Sequence, residues 1–202
     1  MSRVEELIEE GYAALRAGDS ATARRVFDSA LVTEQSGVAL EGSARAAYLD
    51  HDYASAVELW SSGYEAYRRE GDGVGAIRIA RTLAYMYLSV LGDRAVMQGW
   101  FARAVSLLAD EGPCAETGWV SLNRGMFESD RLAKDRHYRD ALAHARESGD
   151  SSLEFTTLAY LGASLVHNDR VDEGMSLLDE ALAAVAGRDD IESLLATPAM
   201  AH

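Results

Sequence analysis

The feature of this chain that most limits how it can fold is an order of small and bulky residues that recurs along it. Two copies lie 33 residues apart: Gly11, Gly18-Asp19, Ala23 and Phe27 in the first, and Ala44, His51-Asp52, Ala56 and Trp60 in the second. A third copy contains Gly92-Asp93 and Phe101, and a late copy contains Gly162 and Leu178. Such a recurring order indicates a stack of similar modules, because each module packs on its neighbours in the same way.

Each module is interpreted as two antiparallel helices joined by a tight turn. A small residue such as Gly11 lets two helix backbones approach closely, and a bulky one such as Phe27 fills the space between modules. Gly18-Asp19 suits the turn, since Gly accepts a positive φ and Asp caps the following helix. One pair cannot bury its apolar face alone, so the sequence predicts an all-α solenoid of about five antiparallel helix pairs.

The modules are predicted to form one domain over residues 1–202, and they are followed by a tail. Their expected ranges are 4–35, 37–70, 75–110, 117–148 and 153–186, with the tail over 187–202. The fourth module is the least regular, because its second helix, near residues 135–145, does not keep the small positions cleanly. His51 stands where Gly18 stands in the first module, and we expect it to be a turn residue.

This order of residues resembles the tetratricopeptide repeat (TPR), whose units have about 34 residues. The stretch Asp52-Tyr53-Ala54-Ser55-Ala56 is the closest match to the family pattern. The chain departs from the pattern where Leu7 and Leu40 replace the usual Trp, and the usual closing proline is absent. The resemblance implies a right-handed superhelix that binds other molecules and has no catalytic activity.

Three shorter stretches resemble the helical-repeat regions of LuxR-type bacterial transcriptional regulators. They are Gly99-Trp100-Phe101-Ala102-Arg103-Ala104, Gly118-Trp119, and residues 172–181. In such proteins the repeats form a sensing or coupling region, and a separate helix-turn-helix domain binds DNA. No helix-turn-helix or P-loop segment is recognisable in this sequence. This resemblance leaves open a second hypothesis, in which the chain is the small-molecule or peptide sensing part of such a regulator.

Charge and composition argue against several classes of function. The chain has 19 Lys and Arg against 33 Asp and Glu, which gives a net charge of −14. A surface this acidic repels a phosphate backbone, so we expect no direct nucleic-acid binding. No apolar run approaches the roughly 18 residues that span a bilayer, and we expect no membrane contact. The sequence therefore predicts a cytoplasmic protein, in which the single cysteine, Cys114, forms no intramolecular disulfide.

Groups that could carry out catalysis are sparse. The glycine-rich stretch 71–75 lacks the Lys of a phosphate-binding loop and is interpreted as a connection between helices. His137, Asp140 and His144 could share one helix face, which keeps a metal-dependent hydrolase as a third hypothesis. A solvated polar face is the favoured interpretation of these three residues. We therefore expect no catalytic residue, no metal site and no cofactor.

The resemblance places the binding surface on the first helix of each pair. The family pattern, carried over residue by residue, directs ten side chains toward that surface: Glu5, Tyr12, Glu41, Arg45, Tyr48, Thr82, Met86, Ser89, Tyr160 and His167. All except Glu5 and His167 are our candidate binding residues. Their mixture of Tyr and Met fits an amphipathic helix, or a peptide with apolar and basic side chains.

The sequence therefore predicts a scaffold that binds a protein or peptide partner and has a regulatory role. Arg45 is the main cation of the proposed surface, which lacks the several Lys, Arg and Asn residues that grip a peptide carboxylate in some family members. Self-association stays open, because the ends of a repeat stack expose apolar faces unless they are capped.

Overall fold

A computed structural model describes residues 2–185, and within this range it contains ten α-helices and no strand. They form five successive pairs: α1 (Arg3–Arg16) with α2 (Ser20–Thr33), α3 (Gly37–Leu49) with α4 (Tyr53–Glu70), α5 (Gly73–Ser89) with α6 (Arg94–Glu111), α7 (Glu116–Phe127) with α8 (Arg131–Ser148), and α9 (Ser151–His167) with α10 (Val171–Val185). The all-α class and the five predicted pairs are confirmed. The predicted tail lies outside the described residues.

The chain forms two compact units, Met1–Cys114 and Ala115–His202. In the first unit, α2 packs on α3 and α4 packs on α5, so that three pairs follow one another in series. In the second unit, α8 packs on α9 in the same way. The expectation of a single domain over residues 1–202 stays a prediction.

Aspartate side chains begin most of the helices. Asp19, Asp52, Asp93 and Asp130 each accept a hydrogen bond from the backbone N–H three residues further on, at the starts of α2, α4, α6 and α8. This bond satisfies one of the four N–H groups that an isolated helix end leaves unpaired. The recurring Asp of the sequence pattern therefore marks where the second helix of a pair begins.

In the first three pairs, the residue before the capping Asp forms the turn within the pair. Gly18 and Gly92 have φ values of 73° and 71°, in the left-handed region where glycine is favoured. His51 occupies the same place with a φ of 61°, and Asp169 forms the turn of the last pair with 62°. The prediction that His51 is a turn residue is confirmed.

Close approach of the helices explains the small residues of the pattern. The Phe27 ring is fully buried, and a Cβ atom added to either Gly11 or Gly42 would overlap it. Phe27 on α2 therefore packs at once against α1 of its own pair and α3 of the next pair. Trp60, the bulky residue of the second pair, is likewise a core residue.

The fourth pair follows the same rule more closely than the sequence indicated. Tyr138 on α8 is buried, and a Cβ atom added to Gly125 on α7 would overlap its ring. Gly118, further toward the start of α7, has Leu153 of α9 in the corresponding place. We expected an irregular module here because the small positions of α8 are not clean, but Gly125 of α7 meets the bulky Tyr138 as Gly11 of α1 meets Phe27.

No helix among residues 2–185 is long and apolar enough to cross a membrane. The cytoplasmic location expected from the sequence stays a prediction.

Substituting Gly42 with Ala should lower the free energy of unfolding by about 1–3 kcal/mol, because the added methyl group overpacks the Phe27 site. Gly99→Ala on α6 is the matched control, since Gly99 is exposed and its nearest neighbour is the tip of Arg103. That change should stabilise the chain by about 0.5–1 kcal/mol through helix propensity alone. Urea unfolding followed by circular dichroism measures both changes, and equal effects would contradict the packing argument.

Candidate binding surface

A buried carboxylate lies at the centre of the first unit. Glu41 is on α3, where nearly every other residue is small or apolar, and its side chain is only 2% exposed. An isolated carboxylate at this depth would be strongly disfavoured, because burial removes the water that solvates its charge. Glu41 therefore depends on the groups that contact it.

Two guanidinium groups and one hydroxyl contact Glu41. Arg78 of α5 donates from Nε and from an Nη atom, at 2.9 Å to each carboxylate oxygen, in a two-pronged arrangement. Arg45, one turn along α3, donates from an Nη atom to Oε1 at 2.9 Å. The Tyr67 hydroxyl of α4 donates to Oε2 at 2.7 Å. One carboxylate thus ties together three helices from two successive pairs.

The charges around Glu41 keep it ionised. Burial raises the pKa of Glu41, but the charges of Arg45 and Arg78 and the hydrogen bonds from Arg78 and Tyr67 outweigh it and lower the pKa to about 2. Burial, the Glu41 charge and the hydrogen bond to Glu41 raise the pKa of Tyr67. Tyr67 therefore stays a hydrogen-bond donor at neutral pH.

Tyrosines border this network. Tyr12 of α1 lies edge-on to Phe27, with ring centroids 5.2 Å apart. Burial and then the Glu41 charge raise the pKa of Tyr12 to about 12. Tyr48, two turns along α3 from Glu41, packs on Trp60 with its ring centroid 6.0 Å away. Burial and then the neighbouring hydroxyls of Tyr85 and Tyr53 raise the pKa of Tyr48 to about 12.

The half-buried residues of the first helices form one continuous surface in the first unit. On α3, Glu41, Arg45 and Tyr48 follow each other at spacings of four and three, so they share a helix face. On α5, Arg78, Thr82, Tyr85 and Ser89 do the same. The Arg78–Glu41 ion pair joins the two faces. We call this area the first-helix surface and define it by Tyr12, Arg45, Tyr48, Arg78, Thr82, Tyr85 and Ser89.

Five of the eight candidate residues lie on this surface. Tyr12, Arg45, Tyr48 and Thr82 are half-buried and Ser89 is exposed, while Glu41 lies beneath them and holds the two arginines. Met86 of α5 is only 1% exposed and belongs to the core. We therefore leave it out of the first-helix surface.

Tyr160, the remaining candidate, belongs to the second unit. Its ring packs near Tyr138, with the centroids 6.0 Å apart.

Glu5 and His167, which were not among the eight candidates, have local roles. Glu5 accepts a hydrogen bond from the backbone N–H of Ser2 at the start of α1, and His167 lies at the end of α9 with Nδ1 2.8 Å from the Ala163 carbonyl oxygen.

Sequence reasoning missed two members of the network, Tyr67 and Arg78. Tyr67 is on a second helix, where the family pattern places no binding residue. A signal was present nonetheless: Glu41 is the only carboxylate in a helix of small and apolar residues, and such a group requires cations nearby. That requirement would have pointed to Arg78, one of two cations on the equally apolar α5.

Among the residues that the structure describes, no three His, Cys, Asp or Glu side chains lie close enough together to hold a metal ion. His137, Asp140 and His144 therefore do not form the cluster that a metal-dependent hydrolase would need. The first-helix surface is suited to binding, since it presents guanidinium groups, hydroxyls and aromatic rings.

No protein-family model matches the sequence. No curated protein matches it either.

Solved structures do match the fold. The structure of BtubC (BKLC) from P. vanneervenii superposes with a TM-score of 0.67 at 18% identity, over 91% of this chain and 80% of that one. The structure of a putative kinesin light chain from Podosopora anserina, described as nearly identical TPR-like repeats, has a TM-score of 0.58 at 13% identity. A single-substitution variant of that protein has a TM-score of 0.60 at 14% identity. Both matches cover 91% of this chain and 95% of the other.

At these identities the likeness shows the fold alone. The chain has a TPR-like helical-repeat fold, as the sequence pattern predicted. None of these three structures is described as a LuxR-type regulator, and that resemblance gains no support from them. It stays a hypothesis.

Replacing Glu41 with Gln should lower the free energy of unfolding at pH 7 by about 3–5 kcal/mol, because two partly buried guanidinium groups lose their counter-charge. The pKa of Glu41 in the folded chain is about 2, below its ordinary 4.5. Its stabilising effect is therefore complete above about pH 4.5 and is lost as the pH falls toward 2.

Urea unfolding of both proteins at pH 7 and at pH 3 measures this effect. The difference between wild type and Glu41→Gln should shrink at the lower pH. Glu9→Gln on the exposed face of α1 is the control and should change neither measurement. A difference that is the same at both pH values would show that the Glu41 charge is not what stabilises the first unit.

Proposed function

We propose that this chain is a non-catalytic scaffold that binds a segment of a protein partner across the first-helix surface and has a regulatory role. TPR-like folds commonly serve as protein-binding scaffolds, which supports the scaffold role. The observation that supports binding across the first-helix surface is the buried Glu41, which holds Arg45 and Arg78 in fixed positions there.

Fixed side chains favour binding, because a long flexible side chain otherwise loses rotamer freedom when a partner immobilises it. Arg45 and Arg78 remain 27% and 28% exposed while they contact Glu41. Their orientation is therefore set before a partner arrives. Tyr12 and Tyr48 lie beside them and add rigid aromatic area, which is typical of the residues that dominate binding energies.

The surface also indicates the chemistry of the partner segment. Tyrosine rings accept apolar side chains, and guanidinium groups donate hydrogen bonds to carbonyl or carboxylate oxygens. Arg78 is a second cation that the sequence interpretation did not include. A basic segment is therefore a poorer match than we expected, and we propose an apolar segment whose polar groups are hydrogen-bond acceptors.

Photo-crosslinking in cells of the source organism tests which face is used. A photoreactive phenylalanine at Ser89, on the exposed end of the first-helix surface, should form a crosslinked species with the partner. The same replacement at Ser62, exposed on α4, is the matched control and should form none. Crosslinking of the same species from Ser62, or from neither position, would contradict the proposed surface.

Once the partner is identified, Tyr48→Ala should weaken its binding by about tenfold or more, since truncating a central interface tyrosine typically costs more than about 1 kcal/mol. Tyr53→Ala is the control, because Tyr53 lies 5.6 Å from the Tyr48 ring but begins the second helix of the pair. Isothermal titration calorimetry measures both affinities. Equal losses in the two variants would indicate a general effect on folding.

A further inference from the structure

The last described helix, α10, presents an apolar stripe to solvent. Val171, Met175 and Leu182 are 51%, 47% and 54% exposed, although they are large apolar side chains. With Leu178, which is half-buried, they follow at spacings of four, three and four residues. This spacing places all four on one face of the helix, and we call them the α10 stripe.

The preceding pair shows what normally covers this face. Helix α8 begins at Arg131 and α10 at Val171, so equivalent residues are forty positions apart. Tyr138 and Leu142 of α8 correspond to Leu178 and Leu182 of α10. On α8 both are buried, in a cluster with Leu158 and Leu161 of α9. Among the described residues of the second unit, no following helix covers the corresponding residues of α10.

Two acidic residues border the α10 stripe. Asp172 directly follows Val171, and Asp179 directly follows Leu178, so both lie on the same side of the stripe, seven residues apart. Both are exposed, and neither has a hydrogen-bond or ion-pair partner among the described residues. The other two acids of α10 already have partners: Glu173 pairs with Arg139 and Arg170, and Glu180 pairs with Arg146.

The ion pairs between α8 and α10 show how a neighbouring helix satisfies such acids. Arg139 and Arg146 of α8 are seven residues apart, and they contact Glu173 and Glu180, also seven apart, at 3.3 and 3.0 Å. Asp179 occupies on α10 the place that Arg139 occupies on α8. A helix lying beyond α10 would therefore meet Asp179 as α10 meets Arg139, with the charges reversed. Asp172 lies seven residues before Asp179, at the place that the exposed Leu132 occupies on α8.

We propose that α10 is a docking surface for an amphipathic helix of a partner protein. The partner helix has an apolar face that covers Val171, Met175, Leu178 and Leu182. Beside that face it carries two Lys or Arg residues seven positions apart, which pair with Asp172 and Asp179. This surface is distinct from the first-helix surface, and it selects for basic flanking groups.

Charge disfavours the two other occupants that this chain itself could supply. A second copy that paired its α10 with this one would place Asp against Asp, since α10 contains no Lys, Arg or His. The chain's own residues 187–202 contain one Arg and three acidic residues, so they also fail to match Asp172 and Asp179. A basic amphipathic helix from another protein satisfies both the stripe and the acids.

Peptide binding to the full chain tests the proposal. The probe is a synthetic amphipathic helix of about 18 residues, which spans roughly 27 Å and so covers α10. It carries a leucine stripe flanked by two lysines seven positions apart. A peptide of the same composition with a scrambled order keeps the charge and removes the stripe. Fluorescence anisotropy should show one-to-one binding of the first peptide and none of the second.

Two double variants locate the binding site. Asp172→Asn with Asp179→Asn should weaken peptide binding by about tenfold, and Met175→Ser with Leu182→Ser should weaken it by at least as much. Glu9→Gln with Glu10→Gln on α1 removes the same net charge from another exposed place and should leave the affinity unchanged. Circular dichroism should show the same helix content in all three variants, because every substituted residue is exposed.

Three results would overturn the proposal. Equal weakening by the Glu9 and Glu10 changes would show that any acidic surface attracts the probe. Binding that occurs only after Ile191, Leu194 and Leu195 are changed to Ser would show that residues 187–202 already cover the stripe. A dimer in sedimentation velocity that Met175→Ser with Leu182→Ser converts to a monomer would assign the stripe to a second copy.

Discussion

The shared use of one bulky side chain by two successive helix pairs is the contact on which the first unit depends. Phe27 of α2 lies against Gly11 of its own pair and against Gly42 of the next, and a Cβ atom at either glycine would overlap its ring. Each pair buries this ring together with the other, so the two pairs pack as one unit. The serial packing of the pairs, and so the alignment of their first helices, follows from contacts of this kind.

That alignment is what makes a buried carboxylate tolerable. Glu41 is held by Arg45 from its own helix, by Arg78 from the next pair and by Tyr67 from its own second helix. A network of this kind contributes less to net stability than its hydrogen bonds suggest, since desolvation of the charges offsets much of the attraction. Its effect is chiefly on position: two guanidinium groups are held at the surface, which a purely apolar interface would not achieve.

The two surfaces that we propose differ in charge for a physical reason. In the first unit, two arginines share one carboxylate, so the first-helix surface suits a partner with hydrogen-bond acceptors. On α10, Asp172 and Asp179 border an apolar stripe, and Asp179 lies where the preceding second helix has the paired Arg139. A repeat architecture produces such surfaces, because every module keeps the contact positions through which it packs on a neighbour.

Most of the fold could be predicted from the residues alone. The recurring order of small residue, turn, small residue and bulky residue predicted five helix pairs, and the described helices begin and end within a few residues of the expected ranges. Local chemistry explains this success: a glycine with positive φ, an aspartate cap and a buried ring each act over a few positions. The fourth pair was the exception, since the sequence analysis judged it by its second helix and did not identify Gly118 and Gly125 of α7 as its close-contact positions.

The surface that we propose for binding was only partly predictable. Tyr12, Arg45, Tyr48, Thr82 and Ser89 are half-buried or exposed, and their role in binding stays a prediction, whereas Met86 is in the core and Arg78 and Tyr67 were not foreseen. The sequence by itself determined the helices, their pairing and the faces they bury, because those depend on spacing along one chain segment. Only the tertiary structure decided which side chains meet across pairs, as Glu41 meets Arg78, since such contacts depend on the rotation and offset of one helix against another.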